Sequence, residues 1–248
     1  MAAVTPLIET RNLSRHFGGL KAVDDVDFRL DEGEIRAIIG PNGAGKTTFV
    51  GLICGRIAPS SGHILLDGED ITHLPSHRRV LAGIAYTFQI TSIFPRLTVY
   101  DNVALSVQRR LLSRGRAKPG ELDAGVAAAL EKVGLTDRAQ AAAGSLAYGH
   151  QRLLEVAMGL ALRPRLLILD EPTQGLSDGE IEGFIALVRE IGRQATVLLI
   201  EHNMQVVMEL ARKITVMNSG RILAEGTPAE IRADPAVQDA YLGTEGHG

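Results

Sequence analysis

The 248-residue sequence has one cysteine, no strong charge of either sign and no apolar run of membrane-spanning length. With Cys54 alone, no intrachain disulfide can form. Its apolar neighbours mark it as a small core residue in a reducing compartment. A formal net charge of −3 gives no electrostatic footprint for nucleic acid, so none is expected as a partner. No stretch approaches the ~18 apolar residues needed to cross a bilayer. Met1 to Thr10 also lacks the apolar segment of a secretion signal. The expectation is a chain that is neither secreted nor membrane-spanning by itself and reaches a membrane only through partners. Internal repeats and low-complexity tracts are missing too. What is present is ordinary globular material, 45% hydrophobic and 22% charged residues. That is enough for one large α/β domain, or one domain with an inserted subdomain.

One stretch organises the rest. Gly40-Pro41-Asn42-Gly43-Ala44-Gly45-Lys46-Thr47-Thr48 meets every fixed position of the phosphate-loop pattern G-x-x-x-x-G-K-[ST]. The apolar run Ile35 to Ile39 before it reads as a buried strand. Phe49, Val50, Leu52 and Ile53 after it have helical spacing. Glycines at a strand-to-helix turn let main-chain N–H groups close around phosphate oxygens, and the helix N-terminus points at the same anion. Lys46 is placed to reach the β- and γ-phosphates and the Thr47 hydroxyl to ligate Mg²⁺. This is a nucleoside-triphosphate site.

Leu7 to Leu13 and Ala22 to Leu30 alternate apolar and polar residues and read as strands, with Phe17 in the loop between them. Phe17 could stack on a purine ring or plug the gap between strands; its position alone favours neither. Ile84 to Phe88 is a further strand ending at Gln89. From 91 to about 158 the pattern turns helical, over Asp101 to Val107, Asp123 to Val133 and Gly149 to Leu162. The basic run Gln108 to Lys118 between the first two reads as a solvated surface loop. The block resembles a helical subdomain inserted into an α/β core. Strand and helix then alternate. Leu166 to Leu169 ends in Asp170-Glu171, Gly179 to Ile191 is an amphipathic helix, and Ala195 to Ile200 ends in Glu201-His202. Alternation of this kind predicts a parallel sheet with right-handed crossovers, whose ligands lie beyond the carboxyl ends of the strands. Beside a nucleotide, Asp170 would hold Mg²⁺ and Glu171 would polarise the attacking water. His202 could contact the γ-phosphate and hold that water in line.

Taken in order, Gly40 to Thr48, Gln89, Leu146 to Gln151, Leu166 to Glu171 and His202 resemble the ATPase subunits of ABC transporters over essentially the whole chain. The resemblance implies one nucleotide-binding domain spanning 1–248. Its fold would be of the P-loop NTPase (RecA-like) class: a parallel-sheet core, an N-terminal antiparallel β subdomain and the helical insertion at roughly 91–158. It assigns Phe17 to adenine stacking and Gln89 to Mg²⁺ and to sensing the membrane partner. Asp170 and Glu171 become the Walker B pair and His202 the switch histidine. Leu146-Ala147-Tyr148-Gly149-His150 takes the place of the signature L-S-G-G-Q, which meets ATP bound on a second subunit. Hydrolysis would then require a dimer, homo- or heteromeric. The complete assembly adds two transmembrane permease subunits and, indirectly, a solute-binding protein, with this chain peripheral on the cytoplasmic face of the inner membrane.

Three positions depart from the family pattern. Ala147 replaces the signature serine, whose hydroxyl would hydrogen-bond phosphate, and His150 replaces the signature glutamine. Ser177 stands where many members have an aspartate. Phe17 to Val23, Asp67 to Ile71, Ile93 to Val99, Ile200 to Met204 and Glu225 to Pro228 are similar to the branched-chain amino-acid uptake subfamily. So is Asp234-Pro235 to Gly243. The match is to the LivG-like of that subfamily's two ATPases; such importers also serve urea, short amides and aromatic acids. A soluble ATPase working on nucleic acid or ribosomes, and a regulatory module without turnover, are the alternatives.

Overall fold

The computed structural model describes residues 5–87, 92–113, 115 and 118–242, with backbone alone at 241 and 242. The chain opens with a hairpin of β1 (Ile8–Phe17) and β2 (Leu20–Leu30), then passes to β3 (Ile35–Ile39) and helix α1 (Lys46–Ile53). Next come β4 (Ser61–Leu66), β5 (Glu69–Asp70), α2 (Ser76–Leu81) and β6 (Ile84–Thr87). Three successive helices are α3 (Val99–Ser113), α4 (Glu121–Lys132) and α5 (Tyr148–Ala161). The alternating part runs β7 (Leu166–Asp170), α6 (Asp178–Gly192), β8 (Thr196–Ile200), α7 (Met204–Leu210) and β9 (Lys213–Asn218). Strand β10 (Arg221–Gly226) follows, then α8 (Pro228–Ala233) and α9 (Pro235–Leu242).

Two sheets result. Order β2-β1-β4-β5 is antiparallel, and order β10-β9-β3-β8-β7-β6 is parallel except for the β9–β10 hairpin at its edge. The central strands β3, β8 and β7 are apolar apart from Arg36, Thr196 and the terminal Asp170, because both faces are covered. Successive residues of β7 show it. Leu167 and Leu169 point into a core shared with α3 to α6, whereas Leu166 and Ile168 point into a second core with α1 and the antiparallel sheet. Phe49 of α1 meets Phe28 of β2 edge-to-face at 5.3 Å in that second core. Cys54 is buried there, and burial pushes its thiol up to about 12, an inert core residue as read from sequence. A third cluster packs Ala37 and Ile39 against α7, β9 and α8. The α/β class with a parallel core and an antiparallel β subdomain is therefore as expected.

Two expectations are corrected. The stretch 108–118 is not a loop throughout, because α3 continues to Ser113 and buries Arg110 against Gly125 of α4. A glycine there leaves room for the guanidinium. Phe17 is the last residue of β1 rather than a loop residue, since the hairpin turns on Gly18-Gly19 alone. The hairpin β9–β10 and the helices α8 and α9 complete the picture; neither helix is apparent from periodicity.

Candidate functional site

Strand order brings the site together. Strand β8 lies between β3 and β7, all three parallel. The phosphate loop after β3, His202 after β8 and Asp170-Glu171 at the end of β7 thus emerge side by side at one edge.

The loop is fixed by backbone contacts. A Cβ on Gly40 (φ +150°) would lie 2.1 Å from the Met217 carbonyl oxygen, and one on Gly45 (φ +100°) 2.2 Å from that of Ala22. No side chain fits either place. The Gly220 N–H donates to the Ala44 carbonyl (3.0 Å), clamping the loop against the β9–β10 turn. Lys46 is buried, and its Nζ donates to the carbonyls of Gly40 (2.7 Å) and Pro41 (3.0 Å). Burial holds its ammonium below the usual lysine range against the opposing pull of Glu171 and Asp170. Thr47 is exposed at the first turn of α1 and Thr48 partly so. At the other end of α1, the Arg79 guanidinium donates to the Leu52 (2.7 Å) and Ile53 (2.8 Å) carbonyls, so a buried arginine caps the helix that carries the loop.

Asp170 is fully buried. Its Oδ2 accepts the Tyr86 hydroxyl at 2.6 Å, while its Oδ1 is buried without a hydrogen-bond partner. Burial raises its carboxyl above the usual range, the Tyr86 bond working against that. The Tyr86 phenol is itself pushed up, first by burial and then by Asp170. Glu171 has φ +46°, uncommon for a residue with a side chain. Its N–H donates to the Ile200 carbonyl (2.9 Å), and its Oε1 stands 2.9 Å from His202 Nε2. Against an ionised carboxylate, that nitrogen carries the proton. Four of the expected groups therefore converge: Lys46, Asp170, Glu171 and His202. Gln89 lies outside the described residues, as do Arg114 and Arg116 of the basic run.

Phe17 is 45% exposed, with the Arg15 guanidinium 4.4 Å over its ring. A face available for stacking remains compatible with that, and a plug between strands is not. The signature-like segment sits elsewhere. Ala147 is the N-cap of α5 and supplies no side-chain cap. Gly149 lies against α6, where a Cβ would come 2.1 Å from Glu180 Oε1. That carboxylate closes a capping box with Ser177 at the start of α6. Tyr148 packs over Gly175, and Gly149 and His150 line a cavity of about 420 Å³ together with Leu153, Leu176 and Phe184. Residues that sequence reasoning passed over are Tyr86, Arg79, Thr173 and Glu201. Only Glu201 carried any signal, a second carboxylate beside the strand-end histidine.

Comparison with known proteins adds the family. A family profile described as "ABC transporter" matches residues 23–174, and a second, "Branched-chain amino acid ATP-binding cassette transporter", matches 221–247. The chain is 42% identical to the high-affinity branched-chain amino acid transport ATP-binding protein BraF of Pseudomonas aeruginosa, covering 96% of this chain and 98% of that one. It is 40% identical to LivG of Escherichia coli, described in the same terms, with the same coverage. Among solved structures, a nucleotide-free ATP-binding cassette from an ABC transporter superposes with a TM-score of 0.85 at 27% identity, over 95% of this chain and 98% of that one.

Proposed function

This chain belongs to the ATP-binding subunits of ABC transporters, of the branched-chain amino-acid type, and on that footing we propose that it is the motor of an importer of branched-chain amino acids. The family binds nucleotide and couples ATP hydrolysis to transport. The observation that carries the proposed site is the convergence of the phosphate loop, Asp170-Glu171 and His202 at the ends of three adjacent parallel strands.

In this reading the 40–48 loop wraps the phosphates and Lys46 turns from its two carbonyls to the β- and γ-phosphate oxygens. Phe17 offers its exposed ring to the adenine. Mg²⁺ fits the residues present, because Asp170 keeps one buried carboxylate oxygen unpartnered and Thr47 is exposed in the first turn of the loop helix. Among the described residues no cluster of three acidic, histidine or cysteine side chains forms a cage. A Mg²⁺ held by Thr47, Asp170, Gln89 and phosphate oxygens needs none, and it would neutralise charge on the phosphates. Glu171 polarises the attacking water. His202, released from Glu171 Oε1, can donate a hydrogen bond from Nε2–H to the γ-phosphate and so keep the water in line.

The segment 146–150 would complete the site of a second ATPase subunit through the N–H groups that open α5. With Ala147 no hydroxyl supports it, so the half-site built on this signature is the weaker one. Two permease subunits, engaged at a groove near Gln89 and the segment 90–97, would carry the motion across the membrane. No described helix is long and apolar enough to cross a bilayer, which fits peripheral attachment at the cytoplasmic face.

The test is solute uptake by cells expressing the chain together with permease subunits, a second ATPase subunit and a solute-binding protein from its own source. Leucine, isoleucine and valine accumulate, and E171Q abolishes that accumulation. Accumulation of urea, short amides or aromatic acids in place of these would overturn the solute assignment.

A further inference from the structure

Glu201 is the last residue before His202 and is only 3% exposed. A buried carboxylate has to be met by donors, and this one is met from two different loops. Its Oε1 accepts the Thr173 N–H (3.0 Å) and the Thr173 hydroxyl. Its Oε2 accepts the His202 N–H (3.0 Å) and the Asn203 N–H (3.1 Å). Thr173 lies two residues beyond Glu171 on the strand exit of β7, while His202 and Asn203 form the exit of β8. Asn203 in turn caps α7, its side chain accepting the Gln205 and Val206 N–H groups. A single carboxylate therefore ties together the two loops whose side chains meet in the 2.9 Å Glu171–His202 contact.

We infer that Glu201 is a positioning residue for ATP hydrolysis: its carboxylate fixes the spacing of the Glu171 and His202 loops and so sets the geometry in which the attacking water is held. The inference rests on the hydrolytic roles given above to Glu171 and His202. The carboxylate is specifically required because three of the four groups facing it are backbone N–H groups, which can only donate, and the Thr173 hydroxyl donates as well. A glutamine at this position offers one oxygen and one NH₂ group. Either orientation of that amide points a donor at a donor, at Thr173 or at the His202–Asn203 turn, and releases one of the two loops. The phosphate loop makes no use of Glu201, so ATP affinity is not affected. A shift of an ångström in a reacting group costs on the order of 10²-fold in rate.

The experiment measures ATP affinity with a fluorescent ATP analogue, and kcat and KM for Mg-ATP, on the full chain for wild type, E201Q and T173V. In T173V an isosteric side chain removes only the hydroxyl donor to Oε1. Expected are analogue binding and KM within about twofold of wild type in both variants. The kcat values should fall by about tenfold or more in E201Q and by about threefold in T173V. A residue that merely supports the fold would lower the melting temperature without separating kcat from KM. The inference is overturned by a kcat for E201Q within about twofold of wild type, or by affinity and kcat falling together. Should E201Q fail to fold, T173V decides alone, and an unchanged kcat in that variant overturns it. Wild-type chain that binds ATP and never turns it over at any concentration or with any partner subunit would instead sink the reading of the site itself.

Discussion

Asp170 offers a case in which function and stability pull in opposite directions. Its carboxyl is fully buried, one oxygen accepts from Tyr86 and the other accepts from nothing. Ionised, it places a charge in the core with half its hydrogen-bonding capacity unmet, a cost on the order of 1–3 kcal/mol or more. The sign follows from the raised carboxyl. Below the unfolded value near ~3.9 both states are protonated and nothing is lost. As pH rises through the folded value the native state must give up a proton it holds more tightly than the unfolded chain does, so stability falls. Above the folded value the penalty is present in full. Asp170→Asn keeps an oxygen for Tyr86 and removes the charge. The variant should therefore unfold at higher urea in chelator-treated, nucleotide-free protein, by ~1–3 kcal/mol at pH 7.5, the gap narrowing toward pH 4. It should also lose Mg²⁺-dependent nucleotide affinity. The assay is urea unfolding followed by circular dichroism across that pH range. An Asp170→Asn variant less stable than wild type at pH 7.5 would refute the reasoning.

Two further substitutions probe the scaffold. Arg79→Met removes a guanidinium, 1% exposed, that donates to the carbonyls of Leu52, Ile53, Thr72 and Leu74, all at 2.7–2.8 Å. Leu52 keeps the Gly55 N–H (3.1 Å), but the carbonyls of Ile53, Thr72 and Leu74 lose this donor, which should cost roughly 3–5 kcal/mol, read as a fall of about 1 M or more in the urea midpoint; a shift below the error of the fit would contradict the capping role. Gly149→Ala places a methyl 2.1 Å from Glu180 Oε1 and must push that carboxylate out of its box with Ser177. A lost cap of about 1 kcal/mol lowers Tm by roughly 2–4 °C in a chain of this size, and calorimetry showing no change would mean that Glu180 relaxes freely.

Much of this architecture was legible because it is written contiguously. The phosphate loop spends nine adjacent residues on one task, and the apolar runs 35–39 and 166–169 end directly in their polar groups. The period of Ile181, Phe184, Ile185, Val188 and Ile191 matches the face that α6 buries. What stayed hidden depends on pairs distant in sequence. Tyr86 finds Asp170 across 84 residues, Thr173 finds Glu201 across 28, and Arg79 reaches Leu52 across 27. No local pattern distinguishes a tyrosine that orients a carboxylate from one that merely fills β6. The run 108–118 misled for a related reason. Its arginines read as a solvated surface, yet the helix continues to Ser113 and Gly125 on the neighbouring helix makes room for Arg110. Short helices such as α8, six residues behind a Thr227–Glu230 capping box, span too little sequence for periodicity to show.

The central claim is that the phosphate loop binds ATP while Glu171, held by His202, activates the water that cleaves it. The most direct test is to compare wild type with Glu171→Gln for ATP binding and for phosphate release at saturating Mg-ATP, across a wide range of protein concentration. The account predicts unchanged binding, wild-type turnover that rises steeply with concentration or on adding a second ATPase subunit, and turnover in the variant reduced by at least ~10²-fold. Undiminished phosphate release from Glu171→Gln would contradict it.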